Sequence, residues 1–304
     1  MCEELRRTFR KRIAASTWLS EGSKAAAIAK LDNMQLFVGS PAAFLPEGLP
    51  DLSDKQSLLE DILEVRRAYV ALRLRLAGMS VGEGAFHDVI SMFYPLNTNT
   101  ALYHPNYNAL FIVPAWLNSP AYVEGANSAY NYATLQIFAH EMTHGFDTDG
   151  TTYDKFGDPG TLWTSAADEQ QFKSLAQRLA DYHSTFEVAP GVMADGQHTV
   201  SEDIADLGGF EIAFQTYTDH LTSHGFHGDE LRRQQRLFYQ AYAHIWQARY
   251  TDAYAQERVT GDIHSLPRER VNALVPHTDV WYDLFDVKQG DKLYIAPENR
   301  VHIW

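Results

Sequence analysis

Two histidines stand four residues apart with a glutamate directly after the first: His140-Glu141-Met142-Thr143-His144. On an α-helix, positions i and i+4 lie on nearly the same face. The two imidazoles can therefore hold one metal ion, and Glu141 can reach a water beside it as a general base. Neutral imidazole suits zinc, and a catalytic zinc keeps one coordination position open. The pattern fixes only three positions, so unrelated helices also carry it with their side chains in solvent. The largely apolar run ahead of it, Leu135-Gln136-Ile137-Phe138-Ala139, argues instead for a helix buried up to the histidines.

A catalytic zinc usually has three protein ligands. The best source of the third is Ser201-Glu202-Asp203-Ile204-Ala205-Asp206-Leu207-Gly208-Gly209. Glu202 and Asp206 are four apart and share a helix face. One can ligate the metal while the other accepts an N–H from a ligand histidine, which fixes its tautomer and ring orientation. The bland alternative is a helix N-terminus with acidic residues in its first turn. A third segment, Asp262-Ile263-His264-Ser265-Leu266-Pro267-Arg268-Glu269-Arg270, carries a loop histidine. Beside a zinc site, His264 could donate to a developing oxyanion; otherwise it is structural or solvated. His224 and His227 form a loose H-x-x-H beside Gly225 and Gly228 and read as an exposed loop, with a second metal site the lesser alternative.

These groups need elements to hold them. Leu5, Phe9 and Ile13 recur every four residues among basic side chains, and residues 1–38 read as helical, with a second helix from Ser23 to Leu36. Residues 41–53 carry three prolines and read as a loop. A helix follows over Ser57–Ala77, with Leu58, Ile62, Val65, Tyr69, Leu72 and Leu76 on one stripe. Gly78, Gly82 and Gly84 mark a break, which places a domain boundary near residue 85. Asn108–Val113 reads as a strand stopped by Pro114. Helices are expected over 129–146, 166–186, 201–223 and 229–255, with a loop over 187–198 and short helices after Gly261. The stripe Leu237, Phe238, Tyr242 and Trp246 reads as core.

Composition bounds the rest. The 304 residues are 45% hydrophobic and 21% charged, an ordinary folded chain with room for a sizeable core, which excludes disorder, collagen and coiled coil. Lys and Arg number 25 against 39 Asp and Glu, so the formal charge is 25 − 39 = −14. Nucleic acid is excluded as a partner, because phosphate binding needs a basic surface. The single cysteine, Cys2, allows no intrachain disulfide. No apolar run approaches the roughly 18 residues of a membrane helix, and the charged opening residues lack the apolar region of a signal peptide.

The three chemical segments, in this order, resemble the catalytic region of the neprilysin and endothelin-converting-enzyme family of zinc peptidases. The family pattern H-E-x-T-H-G-F-D is matched by His140 to Asp147, and Gly150, Asp154, Gly157, Asp158 and Leu162-Trp163 continue the likeness. Its E-N-x-x-D-x-G-G is matched by Glu202 to Gly209, with Asp203 in place of Asn. Its D-x-H-S-P with a later Arg is matched by Asp262, His264 and Arg270, with Pro267 shifted by one. Arg6–Phe9, Leu31–Pro41 and the closing Val301–Trp304 are similar too, so the likeness covers essentially the whole chain.

The resemblance implies a mainly α fold with a small β-sheet, an α+β domain of the thermolysin-like zincin type. It implies His140, His144 and Glu202 as ligands of one zinc ion, Glu141 as general base, Asp206 as orienter of a ligand histidine, His264 as oxyanion donor and Arg270 as binder of a substrate carbonyl. The strand at 108–113 is expected at the sheet edge, pairing with an extended peptide substrate. Thr100, beside Ala101, stands where the family has a substrate-binding Asn; Asn99 is its neighbour. Ile137 would line a substrate pocket by the same analogy, with core packing the simpler reading.

Residues 1–85 resemble the end of the family's helical lid and 86–304 its catalytic domain. The chain reads as the C-terminal half of a longer protein. Its expected activity is that of a zinc-dependent endopeptidase or oligopeptidase. The alternative is an inactive fragment or a peptide-binding pseudo-enzyme that needs the missing N-terminal half. The resemblance also implies a periplasmic or secreted location, and the lack of cysteine pairs fits a bacterial member.

Overall fold

The computed structural model describes residues 1–39, 57–77 and 100–304, with Pro50 and Leu52. Gly78, Gly82, Gly84, Asn99 and the boundary near residue 85 lie outside them, as does most of the proline-rich stretch.

Leu5, Phe9 and Ile13 are fully buried on helix α1 (Cys2–Ala15), as their spacing predicts. Helix α2 (Glu21–Asn33) is capped by Ser20, whose side chain accepts from the Ser23 N–H. It stops three residues earlier than expected. Gln35–Val38 then form strand β1, not helix. Leu36, Phe37 and Val38 suit a strand, and pairing with a distant strand decides their state. Helix α3 (Leu58–Leu76) opens on a capping box between Ser57 and Glu60. Of its apolar stripe Leu72 is buried, while Leu58 and Ile62 are exposed.

Strands β2 (Ala101–His104) and β3 (Ala109–Ile112) follow. The sheet order is β1-β3-β2, with β1 parallel to β3 from Gln35↔Ala109 to Val38↔Ile112, and β2 antiparallel to it from Ala101↔Ile112 to His104↔Ala109. The strand expected at the edge is therefore central. All four of its residues are fully buried, and an unbroken apolar run of this kind belongs to a strand covered on both faces. Among the described residues β1 and β2 are the two edges, and β2 is the one that lines the cleft described below. Between β2 and β3 Asn108 adopts a left-handed conformation (φ 43°). Its side chain accepts from the Tyr103 hydroxyl and donates to the carbonyls of Lys30 and Lys155.

The long helix expected over 129–146 is two, α4 (Ser128–Thr134) and α5 (Gln136–Thr143), with a bend at Leu135 and a 3₁₀ turn over His144–Phe146. Every residue of α5 is buried. Helix α6 (Ala166–His183) precedes a two-stranded ribbon, β4 (Glu187–Ala189) and β5 (Val192–Met193), where a plain loop was expected. Helix α7 (Gly196–Ser223) begins five residues ahead of its expected start and is capped by Asp195. The last long helix is also split, into α8 (Gly228–Ile245) and α9 (Asp252–Gly261). Short helices α10 (Pro267–Asn272) and α11 (Asp279–Phe285) follow. Among the described residues no helix is long and apolar enough to cross a membrane.

Helix α7 is the spine. It packs against α5, α6, α8 and α1. Phe238 and Tyr242 of α8 are buried against Phe210, and Ile137 is buried in the same main cluster, so both are core. Residues of α1 and α2 belong to that cluster too, with Phe9, Phe146 and Trp304 in edge-on contact. Helix α7 also lies very close to α5. A Cβ on Gly209 would lie 2.6 Å from the His140 backbone nitrogen, and one on Gly208 2.6 Å from Thr143 Cγ2. The paired glycines bring the acidic face of α7 up to the histidine face of α5.

Gly209→Ala should therefore force two helices apart and destabilise the fold by about 1–3 kcal/mol. Gly261→Ala, where a Cβ meets nothing within 4 Å, should be within about 0.5 kcal/mol of the parent. Denaturant unfolding of both variants checks this; equal stability would refute the close-packing account.

Candidate metal centre

His140 and His144 project from successive turns so that their Nε2 atoms are 3.0 Å apart. Glu202 reaches across from α7, with Oε2 3.3 Å from His140 Nε2 and 3.5 Å from His144 Nε2. The outer nitrogens are engaged. His144 Nδ1 lies 2.6 Å from Asp147 Oδ2, and His140 Nδ1 lies 2.8 Å from Asp206 Oδ1, in reach though off the ideal hydrogen-bond line.

With each Nδ1–H given to a carboxylate, both neutral rings point Nε2 lone pairs at one another and at Glu202. Glu202 Oε2 is buried and has no hydrogen-bond partner of ordinary geometry. Three converging lone pairs repel unless positive charge lies between them. Tetrahedral zinc with bonds near 2.0–2.1 Å puts its ligand atoms about 3.3 Å apart, which the observed spacings match. Among the described residues this is the sole trio of His, Cys, Asp or Glu so gathered. The donor set of two imidazoles and a carboxylate fits zinc.

The electrostatics say the same. Burial disfavours charge on both rings, but Asp206 outweighs it and raises His140, while Asp147 and Glu202 hold His144 well above its ordinary value. Burial would raise the Glu202 carboxyl, yet His140 and His144 pull it well below the usual range. Asp206 is likewise held low despite burial, by Arg270 and His140. Without a cation, a proton takes its place.

Arg270 grips Asp206 with two hydrogen bonds, Nε to Oδ2 at 2.6 Å and Nη2 to Oδ1 at 2.5 Å, a fork that fixes the carboxylate. Its guanidinium sits 4.0 Å from the Trp246 ring centroid, and its carbonyl accepts from the Tyr242 hydroxyl at 2.9 Å. On the other side, Asp147 accepts from Ser201 Oγ and from the N–H groups of Asp149 and Gly150. Buried Lys30 of α2 holds that turn by donating to the carbonyls of Gly150 and Tyr153.

The trio opens into a cleft of about 730 Å³. Glu141, Thr100, Ala101 and His264 line it beside the three donors. His264 is half-buried; its Nε2 is 3.2 Å from Glu202 Oε2 and its Nδ1 is 2.7 Å from Asp262 Oδ1. Arg270 and Asp206 do not line the cleft and stand behind His140. His224 and His227 are exposed, and His224 lies against His220 with ring centroids 4.2 Å apart and the ring planes tilted by 39°. Asp147 and Asp262 carry no role in the sequence reading, although each sits two or three residues from the histidine it holds. A second cluster went unseen: His183, Thr199, Asp203 and Ser265 meet behind Glu202. There burial pushes the Asp203 carboxyl up to about 8 and the His183 imidazole down to about 4.

Comparison with known proteins agrees with this geometry. The model of peptidase family M13 matches residues 100–301. A neutral endopeptidase of Lactococcus lactis subsp. cremoris is 30% identical over 300 residues, covering 98% of this chain and 45% of that protein. Endothelin-converting enzyme 1 of Rattus norvegicus is 24% identical over 309 residues, 99% of this chain and 40% of its own length. A crystal structure of a Mycobacterium tuberculosis zinc metalloprotease in complex with inhibitor superposes with a TM-score of 0.84 at 27% identity, over all of this chain and 46% of that one. The chain thus spans less than half the length of these relatives.

A pH dependence follows. In the metal-free protein the raised histidines contribute stability fully below their ordinary value of 6.5 and lose it as pH rises through the raised values. A metal competes with the same protons, so its contribution grows over that range. The Tm gap between zinc-loaded and metal-free protein should widen from pH 6 to pH 8. A gap that is constant or narrows would contradict the placement of the donors.

Proposed function

The chain belongs to peptidase family M13, and from that membership we propose that it is the catalytic portion of a zinc metalloendopeptidase acting on peptides. The observation that carries this is the convergence of His140 Nε2, His144 Nε2 and Glu202 Oε2 within one cleft that Glu141 also lines. A zinc ion held there would polarise the scissile carbonyl and lower the pKa of a water to about 7.

The chain's own residues supply the rest. Strand β2 is one of the two sheet edges among the described residues, and Thr100 to Tyr103 line the cleft. An extended peptide can pair with that edge through main-chain hydrogen bonds. Thr100 offers donor and acceptor on a single short hydroxyl where an Asn offers them on two separate atoms further from the backbone, which changes the reach to a substrate backbone. Val200 and Ile263 give apolar surface in the same cleft, suited to a hydrophobic side chain after the cut.

Glu141 takes the proton of the attacking water and returns it to the leaving nitrogen. His264 donates from Nε2 to the carbonyl oxygen as it gains charge. Asp262, 2.7 Å from Nδ1, fixes the orientation of the ring. Asp206 and Asp147 keep the ligand rings in register, and Arg270 fixes Asp206. A contact from Arg270 to a substrate carbonyl would run through Nη1, the nitrogen not used on Asp206. The resemblance to the neprilysin family is the ground for an extracytoplasmic setting.

Glu141→Gln removes the base and keeps the three donors. Turnover of a fluorogenic peptide should fall on the order of a thousandfold, with zinc content unchanged and peptide affinity within about threefold. Comparable turnover in this variant would overturn the mechanism. Chelation should abolish wild-type turnover and added zinc restore it; chelator-resistant cleavage would exclude the metal centre as the site of reaction.

A further inference from the structure

Four buried polar side chains that take no part in the proposed chemistry meet behind Glu202. Asp203 Oδ1 accepts from Ser265 Oγ at 2.7 Å. Asp203 Oδ2 accepts from Thr199 Oγ1 at 2.7 Å and lies 3.0 Å from His183 Nδ1. Ser265 Oγ is also 3.3 Å from His183 Nδ1 and from Thr199 Oγ1. The Asp203 side chain is fully buried, and the other three residues are at most 7% exposed. The cluster joins three segments: α6 through His183, α7 through Thr199 and Asp203, and the loop ahead of α10 through Ser265.

Its place in the chain gives it a function. Asp203 follows the proposed ligand Glu202 directly, and Ser265 follows His264 directly. His264 is half-exposed on a loop, and its ring nitrogens face the carboxylates of Asp262 and Glu202. Asp262 is itself half-exposed and pairs with Arg258 on α9. Ser265, the next residue in the chain, is the buried group that ties the loop itself to α7. Buried polar groups are retained when they specify an arrangement an apolar core would leave loose. An apolar pair at 203 and 265 would fill the same space without fixing which way the loop turns His264.

We propose that Asp203 and Ser265 are positioning residues that lock the His264 loop to the ligand helix, setting His264 against the reacting carbonyl. The inference rests on the reading of His264 as a donor in a peptidase. One turn of α7 then carries both the metal ligand and the anchor of the oxyanion donor, so the two move as a unit. The sequence departs from the family motif at this point, with Asp203 for Asn. An amide there still offers Ser265 an acceptor, so Asp203→Asn is the conservative test.

The test is a double-mutant cycle on the zinc-loaded full chain with a fluorogenic peptide. Ser265→Ala should lower kcat roughly tenfold to a hundredfold, as misplacement by about 1 Å does, with KM within about twofold and zinc content unchanged. In a His264→Ala background the same change should cost less than about twofold. Asp203→Ala should behave like Ser265→Ala, and Asp203→Asn should restore most of kcat. Equal losses in both backgrounds would mean a general packing role and overturn the proposal. A second readout needs no turnover: the ¹⁵N–¹H imidazole signals of His264 in metal-free and zinc-loaded protein. They should shift or broaden in Ser265→Ala and Asp203→Ala and stay in place in Asp203→Asn. Unchanged His264 signals in the alanine variants overturn the proposal whatever the peptidase assay gives. Shifted signals in a protein that cleaves no peptide would uphold the positioning role and sink the peptidase reading alone.

Discussion

Two imidazole nitrogens and one carboxylate oxygen cannot face one another at 3.0–3.5 Å in a buried site without positive charge among them. That requirement organises much of this molecule. The lone pairs converge because each ring surrenders its other nitrogen to a carboxylate, His140 to Asp206 and His144 to Asp147. Those carboxylates are fixed in turn, Asp206 by the Arg270 fork and Asp147 by Ser201 and two backbone N–H groups. The centre is thus a set of acceptors whose orientation is settled before any ion arrives, the preorganisation on which tight binding and electrostatic catalysis depend.

The packing serves the same end. Glu202 reaches the histidines only because α7 comes against α5 at Gly208 and Gly209, where any side chain would collide with His140 or Thr143. The N-terminal helices take part although they lie far from the motif in sequence. Lys30 of α2 is buried at the turn beyond His144, where it caps two carbonyls. Burial pulls its amine down to about 8 against the raising influence of Asp147 and Asp154. A cation accepted at that cost holds the segment that carries Asp147. Asn108 extends the tie to the sheet, joining Tyr103 of the edge strand to α2.

The pairing within each helix was legible in the sequence because it is local, whereas the meeting of the two pairs was expected from the family resemblance. His140 and His144 are one helical turn apart, as are Glu202 and Asp206, and turn geometry alone puts each pair on one face. What was not legible depends on partners distant in sequence. Gln35–Val38 became a strand through pairing with Ala109–Ile112, and that same pairing moved β3 from the expected edge to the centre. One of the two resulting edges, β2, starts at Ala101 directly after Thr100, and both line the cleft, so the expected substrate-facing residues and the expected substrate-facing strand are different segments. The bend at Leu135 and the break after Ile245 interrupt apolar patterns that continue on either side, which periodicity cannot register. The His183–Asp203–Ser265 cluster draws on positions 183, 203 and 265, and no spacing rule links them.

The most direct test of the central claim is the zinc content of protein purified without added metal and again after zinc addition, measured by elemental analysis beside Glu202→Ala and His144→Ala. Converging lone pairs predict about one zinc per chain in the parent and none retained by either variant after dialysis. A parent that takes up no zinc, or variants that hold it as well as the parent, would show that these three side chains do not form a metal centre.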